Sequence, residues 1–131
     1  MKKRLLSAIL SMTMCVSVLP MTAFADVTEY DLWVNGEQFT SEKLTIQCGD
    51  GTAKFNPNKD ELTLTDVTIT ESQDEKGAIY AKQDIDIVTE GTNVINLDDS
   101  KWSYGIYVYG DLTLRGEGSL DVTVANKYRD G

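Results

Sequence analysis

The chain carries an internal repeat, and no other feature of the sequence limits its fold as strongly. The segment Gly105 to Val124, G-I-Y-V-Y-G-D-L-T-L-R-G-E-G-S-L-D-V-T-V, falls on Ala78 to Leu97 when moved back so that Ile106 meets Ile79. In the same alignment Tyr80 meets Tyr107, Asp84 meets Asp111, and Glu90-Gly91 meets Glu117-Gly118. Alternate positions stay apolar in both copies: Ala81 and Val108, Ile85 and Leu112, Ile87 and Leu114, Ile95 and Val122, Leu97 and Val124. Side chains alternate faces along a strand. A fixed period with strand-like alternation inside it is the signature of a stacked repeat.

Each copy divides into three short runs. They are Ile79–Ala81, Ile85–Ile87 and Ile95–Leu97, then Ile106–Val108, Leu112–Leu114 and Val122–Val124. Ala53 to Thr70 reads as a shorter first copy, with runs Ala53–Phe55, Leu62–Leu64 and Val67–Ile69. Three strands per turn, each over its counterpart, predict an all-β fold: a right-handed parallel β-helix of about three coils over residues 53–131. Residues 26–52 are expected to cap it. There Asn35-Gly36 marks a hairpin, because both central residues of that turn need positive φ, with Trp33 and Tyr30 on the face opposite Leu32. An antiparallel sandwich or meander also accommodates short, regularly spaced strands. The match through strand and loop favours the helix. No cap follows Val124, so the polypeptide reads as truncated at its C-terminus, with further coils or domains of a longer chain as its expected neighbours.

Residues 1–25 stand apart. Lys2, Lys3 and Arg4 precede an apolar run from Leu5 to Leu19, and Ala23-Phe24-Ala25 has the form of a cleavage site. This is the pattern of a secretory signal peptide, with cleavage expected before Asp26 and a secreted or cell-surface bacterial location. Its removal leaves nine basic against 21 acidic side chains, a net charge of −12. Such a balance argues against nucleic acid or an anionic membrane as partner. Cys48 is the only cysteine beyond the leader and histidine is absent, so Ser-His and Cys-His catalysis is excluded.

Two sets of outward positions carry candidate chemistry. Tyr80, Tyr107 and Tyr109, with Trp102 on the adjoining loop, present rings suited to the C–H faces of sugar rings. The same rings also suit a ladder that packs the copies together. Glu61, Asp84 and Asp111 occupy equivalent outward positions, with Asp86 beside Asp84. Stacked carboxylates repel, and a calcium ion with oxygen ligands relieves this. The plainer alternative is a solvated face with Lys59, Lys82 and Arg115 as partners.

Three stretches carry a family resemblance: W-V-N-G after the signal peptide, A-x-F-N-P-N-x-D-x-L-T-L-x-D-V-T-I, and G-I-Y-V-x-G-D-L-T-L. With them the chain resembles the carbohydrate-binding β-helix domains of secreted and cell-surface proteins of clostridia and related Gram-positive bacteria, over roughly Trp33 to Val124. The resemblance implies a right-handed β-helix, binding of plant cell-wall polysaccharide such as pectin or cellulose, and calcium in the fold. The expected function is a non-catalytic, calcium-assisted carbohydrate-binding module. The alternatives are a structural segment of a larger surface adhesin and a polysaccharide lyase fragment.

Overall fold

A computed structural model describes residues 26–73, 76–98 and 104–125. The signal-peptide segment and Trp102 lie outside them. Twelve strands form in chain order: β1 (Glu29–Val34), β2 (Glu37–Thr40), β3 (Thr45–Cys48), β4 (Gly51–Asn56), β5 (Glu61–Thr65), β6 (Thr68–Ile69), β7 (Gly77–Ala81), β8 (Ile85–Glu90), β9 (Thr92–Leu97), β10 (Tyr104–Val108), β11 (Leu112–Gly116) and β12 (Ser119–Val124). They make three sheets, ordered β10-β7-β1-β2, β11-β8-β5-β4-β3 and β12-β9-β6.

The two full copies pair in parallel at the repeat spacing. Tyr107 stands beside Tyr80, Leu112 beside Ile85, and Val122 beside Ile95. The expectation of a three-coil right-handed parallel β-helix is nonetheless overturned, because two of the three sheets are mixed. β1 pairs antiparallel with both β2 and β7, and β4 pairs antiparallel with both β3 and β5. The cause lies in the turns. The segment between Asn56 and Glu61, with Asp60 at φ 50°, reverses the chain. Ala53 therefore pairs with Leu64 and Phe55 with Leu62, inside one sheet. Ala53–Phe55 is not a first copy of Ile79–Ala81. β1 takes the place beside β7 instead, arriving from the hairpin at Asn35 (φ 55°) and Gly36 (φ 80°). Trp33 faces away from Leu32, but Tyr30 does not join it. Tyr30 packs edge-on to Phe55, ring centroids 5.3 Å apart, against the core.

One apolar cluster serves all three sheets. Leu32, Val34 and Phe39 enter it from the first sheet, Ile46, Leu62, Leu64, Ile85 and Ile87 from the second, and Ile69, Ile95 and Leu97 from the third. Each fully buried Leu or Ile contributes about 1.5–3 kcal/mol. The alternation in the sequence is thus converted into burial, with the intervening polar side chains outside.

Among the described residues two polar side chains are buried, Thr89 and Asn93. Asn93 is fully buried where the next copy has Leu120. Its Oδ1 accepts the N–H of Val67 at 3.0 Å, and its Nδ2 donates to the carbonyls of Glu90 at 3.2 Å and Ser119 at 3.0 Å. The amide ties its own turn to the strand segment on either side. Asn93→Ala leaves a buried N–H without an acceptor and is expected to lower unfolding free energy in urea by about 2–3 kcal/mol. Asn93→Leu, which copies the neighbouring repeat, is expected to be destabilising as well. A Leu variant as stable as the parent would show that the amide contributes nothing.

Candidate functional site

The first sheet carries an aromatic face. Trp33, Tyr80 and Tyr107 form one row across β1, β7 and β10, because register places Trp33 beside Tyr80 and Tyr80 beside Tyr107. Ring centroids are 5.1 Å apart for Trp33–Tyr80 and 5.6 Å for Tyr80–Tyr107. Tyr109 stands 5.2 Å from Tyr107 and 6.2 Å from Tyr80, and Tyr104 stands 5.0 Å from Tyr107. Three of these pairs are edge-to-face, a favourable arrangement for aromatic quadrupoles, and the other two are tilted.

Exposure divides the rings into two roles. Tyr80 is 5% exposed, covered by its neighbours, so it supports the face and does not itself meet a ligand. Tyr104 and Tyr109 are 58% and 61% exposed, while Trp33 and Tyr107 are half-buried. The Tyr107 phenol is held above its ordinary pKa, first by its hydrogen bond with Tyr109, then by the charge that Tyr109 would carry. Phenol hydroxyls are both donors and acceptors, here on an apolar ground. Trp33 and Tyr104 were not among the residues expected here. Trp33 reaches the face only through the antiparallel β1–β7 pairing, which joins residues far apart in sequence.

The acidic set does not assemble in the expected way. Glu61 lies beside Asp86 and not beside Asp84, because β5 meets β8 in a register that sets Leu62 on Ile87 and Leu64 on Thr89. Arg115 Nη2 pairs with Glu61 Oε2, and Arg115 Nε lies 3.9 Å from Asp86 Oδ2. Asp84 Oδ1 accepts the backbone N–H of Asp111 at 2.8 Å, so this carboxylate fastens one copy to the next. Calcium takes six to eight oxygen ligands. Among the described residues no group of three or more acidic or cysteine side chains is gathered to supply them. Glu61 is thus paired with Arg115, Asp86 stands at the edge of that pair, and Asp84 caps the backbone N–H of Asp111.

Arg115 is poorly placed to act as a lyase base, since it is engaged by the carboxylates of Glu61 and Asp86. A groove of about 490 Å³ opens on the second sheet, lined by Leu44, Lys54, Asn58, Glu61 and Thr63 among others. It lies away from the aromatic face and has no exposed ring of its own, Phe55 being 4% exposed.

Cys48 is fully buried on β3, and its thiol donates to the Ile46 carbonyl at 3.7 Å. Burial, and next the Glu37 carboxylate, push its pKa from 9.0 up to about 11. The thiolate needed for nucleophilic attack is thus absent at neutral pH. A folded-state pKa above the unfolded one gives stability that is intact below pH 9.0 and is lost as pH rises toward 11. In urea titrations the parent is expected to lose more stability across that window than Cys48→Ala. Parallel pH profiles for the two would contradict the burial of the thiol.

Comparison of the chain with protein-family models, with curated proteins and with solved structures gave no match. The functional reading therefore rests on the residues themselves.

Proposed function

We propose that the chain is a non-catalytic binding module for extracellular polysaccharide, and that the aromatic face of the first sheet is its binding surface. The observation that carries this reading is the convergence of Trp33, Tyr104, Tyr107 and Tyr109 on one face over a buried Tyr80. Such a face offers apolar area to sugar C–H groups and phenol hydroxyls to sugar hydroxyls. The N-terminal signal pattern supports a role outside the cell. There, plant cell-wall polymers such as pectin and cellulose are the substrate class implied by the resemblance. Binding is assigned to the rings alone; calcium has no assigned ligands in this reading.

A structural role is the second reading, and it too has an observation behind it. Ring contacts run from β1 through β7 to β10, tilted between Trp33 and Tyr80 and edge-to-face between Tyr80 and Tyr107, and stabilise the pairing of those strands.

The two readings separate in a pull-down on insoluble pectin and cellulose, with and without a chelator. The parent chain is expected to be retained in both conditions. Tyr104→Ala with Tyr109→Ala, at two exposed positions, is expected to reduce retention about tenfold while leaving the unfolding midpoint nearly unchanged. Unchanged retention together with a lowered midpoint would overturn the binding role and leave the structural one.

A further inference from the structure

The aromatic face is bordered by charge. Alternation along β7 and β10 carries Lys82 and Tyr109 onto the side that holds Tyr80 and Tyr107. The N–H of Tyr109 bonds to the Ala81 carbonyl at 2.9 Å and continues the β10–β7 ladder, so Tyr109 stands level with Lys82. The N–H of Lys82 bonds to the Asp31 carbonyl at 2.9 Å, which sets Asp31 on the other side of Lys82. A second row, Asp31, Lys82 and Tyr109, therefore runs beside the row Trp33, Tyr80 and Tyr107. Past Tyr109 the chain turns into the second sheet. At that corner Asp84 and Asp111 are both exposed, with Asp84 Oδ1 on the Asp111 N–H at 2.8 Å. Glu29 lies exposed on β1 before Asp31, and Lys76 lies beside Tyr104, whose N–H bonds to its carbonyl at 2.9 Å. Among these described residues four carboxylates, Glu29, Asp31, Asp84 and Asp111, stand against two ammonium groups, Lys76 and Lys82. The chain from Asp26 onward has the same bias, nine basic to 21 acidic side chains.

We infer that this face selects uncharged glycans and rejects chains of uronate, an inference that rests on the polysaccharide-binding reading and adds a substrate class to it. Ring and hydroxyl contacts treat a uronate and its methyl ester alike, because both keep the C–H faces and ring hydroxyls of the sugar. Charge is what separates them. A uronate chain laid along the two rows brings one negative charge per sugar past Asp31, Asp84 and Asp111. Like charges facing one another suppress a wrong partner while leaving a neutral one untouched. Lys82 does not reverse the sign, since its neighbour on β1 is Asp31. The repulsion acts over a screening length of about 8 Å at physiological salt and about 30 Å at 0.01 M, so it covers the whole face in dilute buffer.

The test compares retention of the chain from Asp26 onward on cellulose, on insoluble pectin of high methyl-ester content, and on the same pectin after de-esterification. A chelator is present throughout, and each arm is run at about 0.01 M and about 1 M salt. Cellulose and the esterified pectin are expected to retain the parent at both salts. De-esterified pectin is expected to retain it at least about tenfold less at low salt, with the difference shrinking at about 1 M, where screening is nearly complete. Asp31→Lys reverses one border charge at an exposed position. It is expected to raise low-salt retention on de-esterified pectin several-fold, with retention on cellulose close to the parent's. Asp111→Lys, on the opposite border, is expected to act the same way and decides the matter if Asp31→Lys fails to fold. Low-salt retention on de-esterified pectin equal to that on the ester overturns the selectivity and leaves the binding reading standing. A preference for the ester that neither salt nor either lysine variant alters assigns it to the methyl group and also overturns the inference. Loss of retention on all three polymers overturns the binding reading itself, and the selectivity with it.

Discussion

Everything in this structure depends on parallel pairing between like residues of the two full copies. Once Leu112 must lie on Ile85 and Val122 on Ile95, the three runs of each copy are committed to three different sheets. Apolar side chains from all three then meet in one cluster, and polar ones are left outside. A slip by one residue in any ladder would turn the apolar set to solvent. The pattern therefore protects its own register, and the corners reinforce it. Asp84 accepts the N–H of Asp111, Asp66 accepts that of Thr92, and Asn93 reaches Val67 and Ser119. Gly91, at φ 74°, lies against the Asp66 carboxylate, where a Cβ has no room.

The part of the fold that could be read from the sequence is the part that repeats. Pairing of Ile79 with Ile106, Ile87 with Leu114 and Leu97 with Val124 follows from matching residues one by one. What could not be read is strand direction where there is no second copy to match. Ala53–Phe55 and Leu62–Leu64 alternate as well as any later run, and alternation is the same for parallel and antiparallel neighbours. Only the tight turn at Asp60 decides that they pair with each other. The repeat spacing is also not constant. β5 and β6 stand nearer in sequence to their parallel partners than the later copies do, with Leu62 on Ile87 and Ile69 on Ile95. Along β5 the shift is by an even number of positions, which keeps the same face outward. The expected column set Glu61 level with Asp84 and Leu62 with Ile85; the observed register lies two positions further on, so Glu61 stands next to Asp86 with the same face outward.

The aromatic site illustrates the same division. Tyr80 beside Tyr107 was legible from the repeat, and Tyr109 from alternation. The burial of Tyr80 was not, because its cover includes Trp33, brought in by an antiparallel strand from the N-terminal hairpin. The hairpin itself announces its turn through Asn35-Gly36, yet nothing local states which strand it will join. The consequence for function is a shift of the candidate contact surface outward, from Tyr80 to Tyr104 and Tyr109, on the same sheet. The sheet face with acids is a different surface and carries ion pairs and a backbone cap.

The most direct test of the account is the strand register around Tyr107, read from backbone nuclear Overhauser contacts in the isotopically labelled chain. Cross-strand contacts typical of a parallel ladder are expected between Ile106–Val108 and Ile79–Ala81, and antiparallel ones between Leu32–Val34 and the opposite edge of that same strand. Contacts placing Tyr107 beside any strand other than the one holding Tyr80 would contradict it, and would remove both the shared core and the aromatic face.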